Sequence, residues 1–220
     1  MAIHAGSDAR VRATGRSHSR WSSAGGPQPH RCTWRGSLRV DRGSRRLREA
    51  LDRLERTTLE TVVYRHTAPT YPPLSGDGAR RKGGRWDPPD SFPVAYTALD
   101  VATVDRELDR TARRAGMTSA MMGPRRLATI RVRLSRVLDL TNADVRAALD
   151  VTEADLTGED PAVPQAIGET AHHLGYEAIL APSATGTGQA LAIFLDNRAA
   201  DSVLEVAEVQ EGYVPGTGSP

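Results

Sequence analysis

The sequence predicts an α+β fold of several short strands with three or four peripheral helices, and three observations point to it. Short β-branched and aromatic runs recur along the chain, apolar residues at helical spacing separate them, and Gly- and Pro-rich breaks divide the two kinds of segment. At 220 residues the chain has the length of one domain with a tail, and no internal repeat or second domain is visible.

Residues 1–43 are rich in Arg, Ser and Gly with scattered Trp21, Cys32, Trp34 and Leu38, and they show neither helical nor strand periodicity. Such a stretch buries too little apolar area to offset its ordering entropy, so the expectation is a disordered basic tail ahead of an ordered domain over residues 44–214. From Ser44, Leu47, Leu51 and Leu54 fall at i, i+4 and i+7, an amphipathic helix. Residues 61–64 read as a strand that ends at Arg65, and residues 69–84 as a long loop. Residues 94–98 are the next strand. Asp100 then caps a helix with Val101, Val104, Leu108 and Ala112 on its apolar side. Ile130, Val132 and Leu134 alternate with arginines, a half-buried strand extended by residues 137–140. A helix start at Thr141–Asp144 follows, then a polar, turn-rich stretch over residues 157–164. A helix over 165–174 closes at Gly175. Buried strands are expected at 178–181 and 191–195, with a last strand over 203–209.

Charge is unevenly spread. Residues 1–50 carry eleven Arg against Asp8, Asp41 and Glu49, whereas the remainder is acidic on balance, so the sequence pI of 9.0 describes the head of the chain. Arg interleaved with Trp21 and Trp34 admits a nucleic-acid contact, which would show as steep salt dependence of binding. Cys32 is a single cysteine and cannot form an internal disulfide. There is no apolar run of about eighteen residues to span a membrane, and the N-terminus lacks the apolar core of a secretory signal. The expectation is a cytoplasmic protein.

The most informative stretch is Lys82-Gly83-Gly84-Arg85-Trp86-Asp87, with Tyr96-Thr97 ten residues after Trp86. Adjacent glycines permit a tight turn, Arg85 offers a planar charged fork suited to phosphate, and Trp86 offers a flat apolar wall. The same residues also occur in ordinary surface hairpins. Glu107 sits among Asp105, Arg106, Asp109 and Arg110, a set that a solvated helix face presents. Ser183 after a proline is equally a turn residue. His172 and His173 are adjacent on a helix and diverge, so a shared metal is disfavoured. His66 points away from Arg65 if the strand continues, and stays outside the site.

Set in order, Tyr64-Arg65, Gly83-Gly84-Arg85-Trp86, the strand with Tyr96-Thr97, Glu107, Leu138-Asp139-Leu140, Pro182-Ser183-Ala184 and Leu191-Ala192-Ile193-Phe194 resemble the RES-domain family. Its members are toxins of bacterial RES–Xre toxin–antitoxin pairs, and the resemblance covers roughly residues 60 to 210. It implies an ADP-ribosyltransferase-like fold and consumption of NAD, by phosphorolysis, by hydrolysis, or by transfer of ADP-ribose to a protein. It also implies roles. Arg65 and Arg85 would hold the NAD phosphates beside Gly84, Tyr96 would position the nicotinamide end, Glu107 would be the catalytic carboxylate, and Ser183 would complete the site. The implied partner is an Xre-type antitoxin, and phosphate or water is the acceptor. Asp87 departs from the Asn of many members, and Gln189-Ala190 replaces an Asn usual before the last core strand.

Those residue types suit the chemistry. Cleavage of the nicotinamide–ribose bond builds an oxocarbenium-like charge that a carboxylate stabilises. Nicotinamide leaves neutral, so neither a strong general acid nor a metal is required. The rival from another class is a non-catalytic NAD- or nucleic-acid-binding module, which would release no nicotinamide.

Overall fold

The computed structural model describes residues 37–215, with side chains from residue 44 onward. Residues 1–36, with Trp21, Cys32 and Trp34, lie outside the described residues. Helix α1 (Ser37–Arg53) reaches back beyond Ser44, the expected start of order. Its leucine stripe does what the spacing predicts. Leu51 is fully buried, and Leu47 and Leu54 pack against the same cluster, which includes Trp86, Leu156 and Ile167. The Tyr176 hydroxyl donates to the Leu51 carbonyl at 2.9 Å and fixes the helix end.

Strand β1 (Thr57–Thr67) extends beyond the expected residues 61–64 at both ends. The expected loop over 69–84 contains a short helix, α2 (Asp77–Lys82). It buries no residue, so no apolar period announced it. Its Asp77 in the first turn and Arg80, Arg81 and Lys82 in the last suit the helix dipole. Strand β2 (Val94–Ala98) and helix α3 (Val101–Arg114) stand where expected. Asp100 caps α3 by accepting from the Thr103 amide at 2.7 Å. After a short 3₁₀ turn at Ser119–Met122 comes the long strand β3 (Arg125–Asp139). Three helices follow: α4 (Ala143–Ala148), α5 (Glu153–Thr157) and α6 (Ala162–His173). The stretch expected to be only turns thus begins on the end of α5, which a Thr152–Asp155 capping box starts. Strands β4 (Ala178–Pro182), β5 (Gln189–Phe194) and β6 (Val203–Tyr213) complete the order.

The six strands form one mixed sheet in the order β1-β2-β5-β4-β3-β6, and β1 also pairs with β3. That extra pairing closes β1, β2, β5, β4 and β3 into a small barrel-like ring, with β6 on the free side of β3. Closure removes exposed edges. All pairs are antiparallel except β3 with β4, which are parallel through Val137–Ala178 to Asp139–Leu180. One apolar cluster collects Val63, Ala95, Ile130, Leu180, Leu191 and Ile193, one face of all five ring strands. The alternate residues Val94, Ile179, Ala181, Ala192 and Phe194 join the helix-covered cluster instead. Strands β4 and β5 are therefore buried on both faces, which accounts for their uninterrupted apolar sequence.

A buried carboxylate secures one corner. Glu177 is 0% exposed. Its Oε2 accepts from the Ser135 and Arg136 amides and the Ser135 hydroxyl, and its Oε1 accepts from the Ala199 amide and Ser202 Oγ. Burial alone would raise its pKa, but these donors outweigh it and hold the group below the usual carboxylate range. A depressed folded-state pKa contributes stability above the unfolded value near 4.3, and that stability is lost as pH falls through the folded value. Glu177→Gln should therefore cost about 1–3 kcal/mol at neutral pH, by leaving buried donors unmatched. In urea melts at several pH values, the gap to wild type should narrow on the acid side of pH 4.

Candidate active site

Helix α3 and the end of β4 build the centre. The Asp100 cap sets where α3 starts, and two turns later the half-buried Glu107 faces the chain leaving β4. Ser183, 1% exposed, donates its Oγ proton to Glu107 Oε1 at 2.6 Å. The turn after it holds the hydroxyl in place. The Ser183 amide donates to the Gly188 carbonyl, the Thr185 amide donates to Ser183 Oγ at 3.2 Å, and Thr185 Oγ1 lies 2.8 Å from Ser183 Oγ. Gly188 has φ +77°, and a Cβ there would lie 1.9 Å from Thr103 Oγ1, so glycine lets this turn seat against the first turn of α3.

Arg85 reaches the same region from the other side. Its guanidinium donates to the carbonyls of Leu156 and Gly158 at 2.8 and 2.9 Å, at the C-terminal end of α5. Burial, and then Arg110 and Arg114, lower its pKa, while Glu107 and Glu159 oppose them. These interactions put Arg85 within electrostatic reach of Glu107. Two of its five donors are committed, and three remain for a ligand.

Tyr96 and Gly84 form an adjoining set. A Cβ on Gly84 would lie 2.3 Å from the Tyr96 hydroxyl, so this glycine has a packing reason of its own. The Tyr96 hydroxyl accepts from the Trp86 amide at 2.8 Å and donates to Asp87 Oδ1 in a short hydrogen bond. Trp86, read from the sequence as a pocket wall, is only 3% exposed and belongs to the core, because α6 covers it. Gln165 of α6 donates to the Gly84 carbonyl at 3.0 Å and holds the loop down. Burial, followed by the Asp87 charge, drives the Tyr96 pKa well above its ordinary value. Burial also raises that of Asp87, whose Oδ2 has no partner among the described residues.

Arg65 stands apart. It donates to the carbonyls of Pro73 and Ser75, both at 2.7 Å, pinning the segment before α2. Burial lowers its pKa to about 10, so it is still a cation at neutral pH. Among the described residues no hydrogen bond or ion pair joins Arg65 to Glu107, Ser183 or Arg85. Its neighbour His66 turns the other way, as strand alternation requires. There Nε2 lies 2.6 Å from Asp105 Oδ1, and Asp105 also accepts from Tyr213 Oη at 3.0 Å. Asp105, read with the solvated face of α3, is thus buried. His172 stacks on Phe92 at 3.9 Å, and its Nε2 lies 3.1 Å from Asp196 Oδ1. Among the described residues, no cluster of three or more His, Cys, Asp or Glu could hold a metal, and no helix is long and apolar enough to cross a membrane.

The geometry therefore couples Glu107 to Ser183 directly and to Arg85 through charge, with Gly84 on the loop that carries Arg85 and Tyr96 on β2 against that loop. The RES domain family matches over residues 62–214, from within β1 to the end of β6. The chain belongs to the RES domain family. Among RES-family relatives, it is 40% identical over 129 residues to the NAD(+) phosphorylase MbcT of Mycobacterium tuberculosis and to that of Mycobacterium bovis, covering 58% of this chain and 69% of each relative. A second Mycobacterium tuberculosis relative, named a probable NAD(+) phosphorylase, is 32% identical over 161 residues, covering 68% of this chain and 72% of its own. The crystal structure of the Mycobacterium tuberculosis MbcT–MbcA toxin–antitoxin complex contains a chain of this fold. It has a TM-score of 0.68 and 32% identity, covering 76% of this chain and 91% of that one.

The order of Arg65, Gly84, Arg85, Tyr96, Glu107 and Ser183 along the chain made them candidates from the sequence. Thr185, Gln165 and the partnership of Asp87 with Tyr96 were not, because each depends on a contact between distant segments. The Asp87 carboxylate supplies a test. A carboxylate whose folded pKa is raised costs stability at pH values above its unfolded pKa, and that cost disappears in acid. Asp87→Asn keeps the acceptor for Tyr96 and removes the buried charge. Its melting temperature should exceed that of wild type at pH 7, and the two should converge near pH 4. A lower melting temperature at pH 7 would show that the carboxylate charge is satisfied after all.

Proposed function

We propose that this chain consumes NAD by cleaving the nicotinamide–ribose bond, with inorganic phosphate as acceptor. The carrying observation is the 2.6 Å hydrogen bond between Ser183 and Glu107, within electrostatic reach of Arg85, in a chain 40% identical to a named NAD(+) phosphorylase. Glu107 stabilises the positive charge that develops on the ribose, and Ser183 holds its carboxylate in one orientation. A phosphate oxygen bonds to C1″ of the nicotinamide ribose as the C1″–N bond breaks. The electron pair of that bond passes to the pyridinium nitrogen, and the products are neutral nicotinamide and ADP-ribose 1″-phosphate. The free donors of Arg85 and Arg65 hold the pyrophosphate. Tyr96 and Gly84 shape the floor under the nicotinamide end. With water as acceptor the same site is a glycohydrolase, and with a protein acceptor an ADP-ribosyltransferase. This reading places the chain in the cytoplasm, where NAD is abundant.

A toxin role goes with this reading, since the solved neighbour is half of a toxin–antitoxin complex. An Xre-type antitoxin that covers the pocket mouth is the partner we propose. Co-expression of the two should give a stable complex with suppressed NAD turnover, and expression of this chain alone should lower cellular NAD and slow growth.

The direct test is incubation of purified protein with NAD, with and without phosphate, and identification of the products. Glu107→Gln should lower turnover about 10²–10³-fold with a smaller change in NAD affinity. Glu205→Gln, an exposed position on β6, should match wild type. Equal loss in both variants, or none in Glu107→Gln, would remove Glu107 from the chemistry.

A further inference from the structure

Helix α3 carries four arginines, Arg106, Arg110, Arg113 and Arg114, beside the site. A groove of about 530 Å³ runs along it, lined by Arg106, Arg110, Arg113, Arg114, Glu159 and Thr185 among others. Asp109 and Glu159 are its acidic groups, so the lining carries a formal charge of +2. Thr185 belongs to the turn that holds Ser183, and Ala184 lines the groove too, so the groove adjoins the Ser183–Glu107 pair.

Helical register aligns the two. Glu107, Arg110 and Arg114 lie at i, i+3 and i+7 and share one face of α3. At a rise of about 1.5 Å per residue, Arg110 stands only about 4.5 Å along the axis from Glu107. An anion on Arg110 is therefore about one turn from the carboxylate that stabilises the ribose cation.

The groove already holds an anion of its own. Glu159 accepts from Arg110 at 2.9 Å and from Arg114 Nε at 3.1 Å, although its carboxylate side chain is 79% exposed. Arg114 also donates to it through Nη2, so the exposed Glu159 carboxylate occupies two guanidinium groups that a phosphate dianion, with more charge and more acceptor oxygens, can take over. Arg106 adds a buried Nε with no partner among the described residues, while its Nη2 donates to Thr103 Oγ1 at 3.2 Å.

We propose that this arginine groove is the acceptor subsite, and that it binds inorganic phosphate between Arg110, Arg106 and Thr185 by displacing Glu159. The proposal rests on the phosphorolytic reading of the site. Phosphorolysis brings two anions together, the NAD pyrophosphate and orthophosphate, and their repulsion must be offset by two sets of cations. Arg85 and Arg65 are one set, and the α3 row is the second. From this subsite a phosphate oxygen forms the bond to C1″ while the C1″–N electron pair leaves with nicotinamide, so the reaction balances with no further reactant.

The test uses the full chain and inorganic phosphate. Arg110→Gln should raise the phosphate KM about ten-fold or more and leave the NAD KM and any phosphate-independent nicotinamide release near wild type. Glu159→Gln should do the opposite, lowering the phosphate KM, because the competing carboxylate is gone. Calorimetry with inorganic phosphate on Glu107→Gln protein, with and without Arg110→Gln, reads the subsite independently of turnover, and the added substitution should weaken binding. An unchanged phosphate KM in both groove variants would overturn the proposal. So would a parallel rise in the NAD KM, which would give the groove to the NAD phosphates. Absence of phosphate-dependent turnover in wild type would instead refute the phosphorolytic reading, and phosphate binding lost with Arg110 would then still identify the groove as an anion site.

Discussion

The fifteen residues of β3 hydrogen-bond to three other strands, and the rest of the fold depends on that sharing. Its first part lies between β1 and β6, and beyond Arg133 the edge that β6 leaves is taken by β4, which runs parallel to it from Val137 to Asp139. A strand that changes partner along its length closes the sheet without adding another strand. Closure brings β4 and β5 between β3 and β2, where both of their faces are buried. Ala178, Leu180, Leu191 and Ile193 then fill one side, and Ile179, Ala181, Ala192 and Phe194 the other. The parallel β3–β4 pair needs a crossover, and α4, α5 and α6 supply it.

That crossover couples the scaffold to the site. The end of α5 offers the carbonyls that hold Arg85, and Gln165 on α6 holds the loop on which Arg85 and Trp86 sit. Helix α3 is anchored separately, at its start by the Asp100 cap and in its middle by Asp105 with His66 and Tyr213. Glu107 lies one helical step beyond Arg106 from that anchor, so β1 and β6 set its position through Asp105. Glu177 performs a similar task behind the sheet, joining the bend of β3 to the residues after β5 with one buried carboxylate.

The charges around the site differ in their partners. Arg65 and Arg85 are tied to backbone carbonyls, which fixes their guanidinium groups in place. On α3, the largely buried Arg110 and the more exposed Arg114 share Glu159 as their counter-charge. The Asp87–Tyr96 contact serves Arg85, because it locks the loop between Gly84 and Asp87 against β2.

By itself the sequence determined the local elements whose signal is periodic or chemical. The α1 leucine stripe, the Asp100 cap, the alternation of β3 and the buried runs of β4 and β5 all arise from neighbours in the chain, and burial follows from them directly. The order of Arg65, Arg85, Tyr96, Glu107 and Ser183 also lies in the sequence, and family membership follows from it. Only the tertiary structure decided the rest. Helix α2 has no apolar face to announce it, and the length of β1 is set by its pairing with β3. Trp86 became core and Asp105 became buried because α6, β1 and Tyr213 cover them, contacts that no local pattern encodes. The meeting of Glu107 with Ser183 belongs to the same class. Seventy-six positions separate the two residues, and a hydrogen bond between them exists only once the closed sheet has carried the end of β4 to the face of α3.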